Sequence, residues 1–375
     1  MERPLPRFLR GTVFALALLA SAGCQVLPPP HAADAVPGVV RAGSPAEARR
    51  VAQMLERLAP AVVARVPGSR ARDLEVWVQE SPAIYRFALS AYADADGFYA
   101  DEPRRIHLRS AADDVERTLA HELVHASLGR AWRALPGTIE EGLCDAVSAE
   151  LVPGGAARMR AGRISSACFA TGGLTLDLDV WLPESRGVRG GRLSFHARMK
   201  LEGDPPREID PLDVFEVEAG LSSSRVDGDA KKAFYGLAYL IVDRAIERVG
   251  LEGLHELCST AHAERREVSP CELLAAAELG RDEASWRQAL LDALGPDELA
   301  ELVRMHPEFL AGAIADFLMP HRGASTPAEL LRSLEARLSV AGGRGEVDLL
   351  GVPELRGRLA AALPSEAEAP FVAGR

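Results

Sequence analysis

The sequence lacks the features that mark several broad classes of protein. Its 375 residues carry 43 basic and 54 acidic side chains, a formal net charge of −11, and no basic cluster stands out. A chain with this acidic balance is not expected to bind nucleic acid. No internal repeat and no extended low-complexity run is present. The composition is that of an ordinary globular protein, with 47% hydrophobic and 26% charged residues.

The apolar run near the N-terminus is too short to span a membrane. Residues 11–20 follow three arginines and precede small residues, which predicts a secretory signal peptide over residues 1–23. Cys24 comes next, and this ending resembles the lipobox of bacterial lipoproteins. The resemblance implies a lipid anchor on Cys24 at the cell envelope, and Gln25 implies sorting to the outer membrane. Ser21 stands where leucine is commonest, so cleavage by ordinary signal peptidase stays open.

About 350 residues follow the signal, enough for one large domain with an appendage or for two domains. The first of them, residues 24–43, are proline-rich and without periodicity, so we expect a flexible tether. A helix is predicted to begin after Ser44, with Pro45 in its first turn and Glu47 completing a capping box.

Cysteine is scarce after the lipobox. The four remaining thiols form an even set that can pair in an oxidising envelope. Cys258 and Cys271 are the closest in sequence, but the spacing leaves the connectivity open. The four residues are Cys144, Cys168, Cys258 and Cys271.

One stretch, Thr118–His125, carries the pattern H-E-x-x-H. Residues four apart lie on the same face of a helix, so His121 and His125 can present two imidazole nitrogens to one metal ion. Glu122 then lies beside that ion, where it can activate a water molecule. Ser110 is a suitable N-cap for this helix, which places the pattern in the middle of the helix.

Two histidines are too few for a catalytic zinc site, which usually takes three protein ligands and leaves the fourth position to water. The longer metzincin pattern is absent, because Leu128 and Ala131 stand where it needs glycine and histidine. A second helix, after the break at Leu135–Gly137, offers Glu141 as the third ligand. Asp145 lies on the same helix face and can receive the far N–H of a ligating histidine.

Alternatives to this ligand set remain open. Thr138 and Glu141 form a capping-box pattern, which would explain the glutamate without a metal. The adjacent Glu140 is a rival ligand. His107 and His196 have no partner at ligand spacing, so we expect them to lie in the core or on the surface.

The stretch from His121 to Asp145 resembles the gluzincin metallopeptidases. HELVH followed by LPGTIEEGLCD is similar to the bacterial peptidase MA-like group, which reads HExxH, a short linker and then PxWLxEGxA. Residues 97–99 and 106–108 resemble that family's edge strand, along which substrate lies. Residues 235–250 resemble its following helix. The resemblance implies an α+β, zincin-like fold in which a small mixed sheet packs on the HExxH helix.

The resemblance also implies a mechanism. The zinc ligands would be His121, His125 and Glu141. Zinc lowers the pKa of a bound water to about 7, and Glu122 takes its proton as the water attacks a peptide carbonyl. A second donor to the developing oxyanion is expected, and Tyr235 in the family-like helix is the candidate. Tyr239, one turn on, is the alternative, and both tyrosines can equally be packing residues.

The expected architecture is a zincin-like metallopeptidase domain over residues 44–275, followed by a mainly helical region over residues 276–375. In the first part, residues 174–181 and 192–198 alternate in polarity and predict a β-hairpin. In the second part, apolar residues recur at helical spacing, for example over residues 330–338.

The expected function is zinc-dependent hydrolysis of peptide bonds in a peptide or protein substrate at the bacterial cell envelope. Thr138, Ile139 and Cys144 differ from the family pattern. These differences motivate a first alternative, a weak or inactive zincin-fold lipoprotein that acts as an envelope binding module. The second alternative is a helical lipoprotein in which the HExxH pattern is accidental.

Overall fold

A computed structural model describes the chain over most of its length. The described residues are 28–79, 96–168, 174–182, 191–199, 211–215, 228–318, 335–340 and 346–363. The predicted signal peptide and Cys24 lie outside them. The chain divides into two units, residues 1–57 with 72–115 and residues 58–71 with 116–375.

The first unit is built on a five-stranded mixed sheet with the strand order β1-β2-β3-β5-β4. The strands are β1 (His31–Ala35), β2 (Gly38–Ala42), β3 (Leu74–Gln79), β4 (Gly97–Ala100) and β5 (Arg105–Arg109). Strands β2, β3 and β5 run parallel, while β1 and β4 pair antiparallel at the two edges. Of the two segments that resemble the family's edge strand, residues 97–99 lie in the edge strand β4, whereas residues 106–108 lie in β5, between β3 and β4.

Helix α1 (Pro45–Arg65) follows β2 in the chain, and it begins as the sequence predicts. The hydroxyl of Ser44 accepts a hydrogen bond from the backbone N–H of Glu47 at 3.2 Å. Such a bond satisfies one of the N–H groups that the first turn of a helix leaves without a partner.

Strands β1 and β2 lie inside the range predicted as a flexible tether, so that prediction is wrong for residues 31–42. Val40 and Ala42 are completely buried, and β2 pairs in parallel with β3 from Gly38 to Arg41. A short strand of this kind takes its stability from the strand beside it, which comes later in the chain. Local composition therefore does not predict it.

His107 in β5 is a core residue, as the sequence suggests. Its side chain is 7% exposed, and its ring stacks on that of Phe98 with centroids 4.5 Å apart. Burial, together with the positive charge of Arg105, lowers the pKa of His107 to about 4. The imidazole is therefore neutral near neutral pH, which suits an aromatic packing partner.

The second unit is mainly helical. Its helices are α2 (Val115–Ser127), α3 (Gly137–Leu151), α4 (Ala156–Ala167), α5 (Gly228–Ala263), α6 (Pro270–Ala276), α7 (Glu283–Asp292), α8 (Pro296–Met305), α9 (Pro307–Leu318) and α10 (Pro353–Ala362). Helix α5 is kinked at Gly250, whose φ of 73° is left-handed. Across the ranges that the structure describes, no helix combines the length and the apolar character needed to cross a bilayer.

Two glycines let three of these helices cross closely. A Cβ atom at Gly142 of α3 would lie 2.3 Å from the carbonyl oxygen of Ala238 in α5. A Cβ atom at Gly236 of α5 would lie 2.3 Å from the carbonyl oxygen of Arg163 in α4. Because only glycine allows backbones to approach this closely, these positions set how α3 and α4 pack on α5.

The second unit also contains a four-stranded antiparallel sheet with the order β7-β6-β8-β9. Its strands are β6 (Leu174–Leu182), β7 (Gly191–Met199), β8 (Glu335–Val340) and β9 (Glu346–Asp348). Strands β6 and β7 confirm the predicted hairpin, with Leu174 opposite Met199. Strand β8 corrects the expected helix over residues 335–338, whereas residues 330–334 of that prediction lie outside the described residues. It pairs with the distant β6, and such pairing overrides local helical spacing.

Candidate metal centre

Two helices of the second unit bring the predicted metal-site residues together. Helix α2 carries His121, Glu122 and His125, and the two imidazole rings have centroids 5.1 Å apart. Helix α3 carries Glu141 and Asp145, whose carboxylates both contact His121. The spacing of four on each helix therefore places these side chains on facing sides of α2 and α3.

The carboxylate of Glu141 lies beside both imidazoles. Its Oε2 atom is 3.2 Å from Nε2 of His121 and 3.5 Å from Nε2 of His125. The capping-box alternative for Glu141 is not realised, because Pro136 occupies the N-cap of α3 and Thr138 lies inside the helix. The side chain of Glu141 is therefore directed to the histidines.

The two separations of Glu141 Oε2 from the imidazole nitrogens are close to the spacing of ligand atoms in a tetrahedral metal site. With metal bonds of about 2.0–2.2 Å, neighbouring ligand atoms of a zinc tetrahedron lie about 3.3–3.6 Å apart. The side chains of His121, His125 and Glu141 are 13%, 15% and 20% exposed. An ion held between them would thus stay within reach of solvent.

The other nitrogen of each histidine contacts a second carboxylate. Nδ1 of His121 is 3.0 Å from Oδ1 of Asp145, and Nδ1 of His125 is 2.6 Å from Oε1 of Glu140. Because an ionised carboxylate can only accept, Nδ1 donates in both bonds. Nε2 of each ring faces Glu141; a protonated ring directs an N–H to that carboxylate, and a ring that has lost this proton offers a lone pair. Asp145 lies where the sequence predicts, whereas Glu140, the rival ligand, contacts the opposite nitrogen of His125.

Arg163 of α4 belongs to the site although the sequence does not predict it. Its Nε donates to Oδ2 of Asp145, so both oxygens of that carboxylate are engaged. The guanidinium carbon lies 5.0 Å from the ring centroid of Tyr235. No local pattern marks Arg163, because α4 is brought to α3 and α5 by tertiary packing.

The site concentrates negative charge around two imidazoles. Burial lowers the pKa of His121, but hydrogen bonds with Asp145 and Glu141 raise it to about 9. Burial raises the pKa of Glu141, but the positive charge of His125 and the hydrogen bond with His121 bring it well below its usual range. The imidazole rings thus carry protons where a divalent ion can bind, and metal binding would release these protons. The negative charge around the two imidazoles comes from the carboxylates of Glu122, Glu140, Glu141 and Asp145.

Glu122 is 6% exposed in the interior of α2. Burial raises the pKa of its carboxyl group, against the attraction of His121 and His125. A carboxyl group with a raised pKa takes up and returns a proton closer to neutral pH. This environment is compatible with the proton-transfer role that the sequence predicts.

The two candidate tyrosines of α5 have different surroundings. Tyr235 is half-buried beside Arg163, and burial together with the charge of Glu141 raises the pKa of its phenol. Its hydroxyl therefore stays protonated and able to donate. Tyr239 is 1% exposed, and its hydroxyl donates to Asp243 at 3.1 Å. Tyr239 is thus a core residue.

Cys144 of α3 joins the site, although the sequence indicates it only as one of four thiols that can pair and as a departure from the family pattern. It is completely buried beside His125, and burial raises the pKa of its thiol. One ligand atom each of His121, His125 and Cys144 lie within 4.8 Å of one another, so this group can hold a metal ion. All four described cysteines are free thiols, including Cys258 and Cys271.

Comparisons of the chain with protein-family models, with curated proteins and with solved structures give no match. The described residues establish a mixed α+β fold and a buried group that can bind a metal ion. The identity of the ion and the reaction are therefore argued from the chemistry of the site.

Proposed function

We propose that this protein is a zinc-dependent peptidase of the gluzincin type, with a zincin-like catalytic fold. The proposal rests on the position of Glu141 Oε2, which is 3.2 Å from Nε2 of His121 and 3.5 Å from Nε2 of His125. Two nitrogen donors with one carboxylate favour zinc, because magnesium and calcium prefer oxygen ligands. Peptides or proteins are the substrate class that the resemblance implies.

The surrounding side chains supply the acid–base chemistry. A bound zinc ion would contribute a positive charge that activates water and polarises a carbonyl. Glu122 takes a proton from the attacking water and returns it to the leaving amine, and its raised pKa suits both transfers. Asp145 and Glu140 keep the two histidine rings in the tautomer that turns Nε2 towards Glu141.

Tyr235 is our candidate for the donor that stabilises the developing oxyanion. Its phenol stays protonated because burial and the charge of Glu141 raise its pKa. The guanidinium of Arg163 lies against the ring of Tyr235 and also donates a hydrogen bond to Asp145, the carboxylate that contacts His121. One side chain therefore contacts both the candidate oxyanion donor and the residue that orients a histidine. A preorganised donor of this kind stabilises charge that appears only in the transition state.

We also propose that the protein works at the bacterial cell envelope. The proposal is supported by the apolar segment over residues 11–20 and by Cys24 in a lipobox-like ending. A lipid on Cys24 would anchor the chain to a membrane surface, outer membrane or periplasm-facing, without a spanning helix.

The test of the peptidase proposal compares wild type with Glu122→Gln on a mixed peptide library. Glutamine keeps the size of the side chain but cannot take the proton, so cleavage should fall about 10²–10⁴-fold. The variant should still bind zinc. Glu116→Gln, in the first turn of the same helix, is the matched control and should cleave like wild type.

Equal cleavage by Glu122→Gln and wild type would contradict the mechanism. Less than about a tenth of a zinc ion per chain, after purification without chelators, would contradict the metal centre itself. A protein that retains zinc but cleaves no peptide would favour the envelope binding module over the enzyme.

A further inference from the structure

Glu141 and Cys144 present two different donors to the same pair of histidines. They lie three residues apart on α3, and residues at this spacing share a helix face. Glu141 contributes a carboxylate oxygen, and the Sγ atom of Cys144 lies within 4.8 Å of a ligand nitrogen on both His121 and His125. The thiol is completely buried, so it has no route to other partners in solvent.

The number of donors decides what such a centre does. A catalytic zinc site has three protein ligands and an open position, whereas four protein ligands make a closed, structural type of site. With Glu141 alone the site is of the first type, and with both Glu141 and Cys144 it is of the second.

We propose that Cys144 is a fourth protein donor of this centre and closes the position that a catalytic site leaves to water. The inference rests on the proposed metal centre and concerns how access of water to the ion is regulated. On coordination the sulfur binds the ion as a thiolate and its proton passes to solvent. Hydrolysis then requires the thiolate to leave the ion, so Cys144 restrains the reaction and also favours thiophilic ions.

A cobalt titration of the metal-free full chain tests this inference directly. Visible d–d bands report Co²⁺ bound at the histidines, and a near-ultraviolet charge-transfer band reports a cobalt–thiolate bond. We expect both signals in wild type. In Cys144→Ala the visible bands should remain and the thiolate band should disappear. Cys258→Ala is the matched control, because Cys258 is also a completely buried free thiol but lies in α5.

Two further measurements follow from the same variant. Loss of an outer-shell partner typically weakens metal affinity 10–100-fold, so loss of a direct donor should weaken zinc binding at least about tenfold. Peptide hydrolysis at saturating zinc should rise several-fold in Cys144→Ala, because the open position is restored. Cys144→Ser, which is closer in volume, serves the same comparison if the alanine variant does not fold.

The outcomes separate the inference from the proposed function. Visible cobalt bands without a thiolate band in wild type would overturn the role of Cys144 and leave the peptidase proposal standing. A thiolate band that persists in Cys144→Ala would assign the sulfur to another residue and would also overturn it. Failure of wild type to bind Co²⁺ or Zn²⁺ at all would overturn both.

Discussion

At the scale of single residues, the centre depends on which nitrogen of each histidine meets which carboxylate. Both Nε2 atoms are turned towards Glu141, and both Nδ1 atoms donate to an outer carboxylate, Asp145 or Glu140. This division of roles follows from helix geometry, since α3 presents neighbouring glutamates to different edges of the rings. Glu140 and Glu141 are therefore not interchangeable, although the sequence places them side by side.

Asp145→Asn tests the outer support of His121. The asparagine still fits, but it removes the charge that favours a basic imidazole and weakens the bond with Arg163. We expect zinc affinity to fall about 10–100-fold, measured by competition with a chromophoric chelator. Glu150→Gln on the same helix is the control, because Glu150 is exposed and pairs with Arg65 away from the histidines. Unchanged affinity in Asp145→Asn would show that the carboxylate does not support the metal.

At the scale of elements, the site is held by the crossing of α3 over α5. A Cβ atom at Gly142 would meet the Ala238 carbonyl oxygen at 2.3 Å and the Tyr239 backbone nitrogen at 2.8 Å. Backbone atoms cannot move aside as a flexible side chain can. Gly142 also lies between Glu141 and Cys144, so any shift of α3 there would displace both proposed donors.

Gly142→Ala should therefore destabilise the second unit by about 1–3 kcal/mol, the usual cost of overpacking, despite alanine's higher helix propensity. The measurement is the urea midpoint of the metal-free protein. Gly357→Ala in α10 is the matched control, because a Cβ atom there meets nothing within 4 Å. That control should be neutral or stabilised by up to about 1 kcal/mol. Equal midpoints for Gly142→Ala and wild type would contradict the close crossing.

At the scale of the whole molecule, the chain combines a strongly acidic net charge with a predicted signal peptide at its N-terminus. The net charge of −11 gives no electrostatic attraction to anionic lipid surfaces. Within the described residues no helix is suited to cross a membrane. The membrane attachment proposed above rests on the lipid on Cys24.

Cys24→Ser tests that attachment in a bacterial host. Wild type should sediment with membranes and incorporate a labelled fatty acid, whereas the variant should carry no label and appear in the soluble fraction. Cys271→Ser, which removes the exposed thiol of the folded chain, should behave like wild type. Wild-type protein that is soluble and unlabelled would contradict the lipid anchor and leave the metal centre untouched.

The sequence by itself determined the parts that depend on local periodicity. The capped start of α1, the placement of His121 and His125 one turn apart, and the β6–β7 hairpin all follow from spacing along one segment. Helical periodicity likewise predicted that Glu141 and Asp145 share a face. Of the site residues, local periodicity therefore predicted the two histidines, Glu122 beside them and the carboxylates on the neighbouring helix.

Tertiary structure alone decided the rest, because the deciding partner lies far away in the chain. Pairing with β3 made a strand of residues 38–42, and pairing with β6 made a strand of residues 335–340. The packing of α4 brought Arg163 to Asp145, and the approach of α3 to α2 brought Cys144 to the histidines. A thiol beside two imidazoles has no local signature, since its chemistry depends on distances that only the packed helices set.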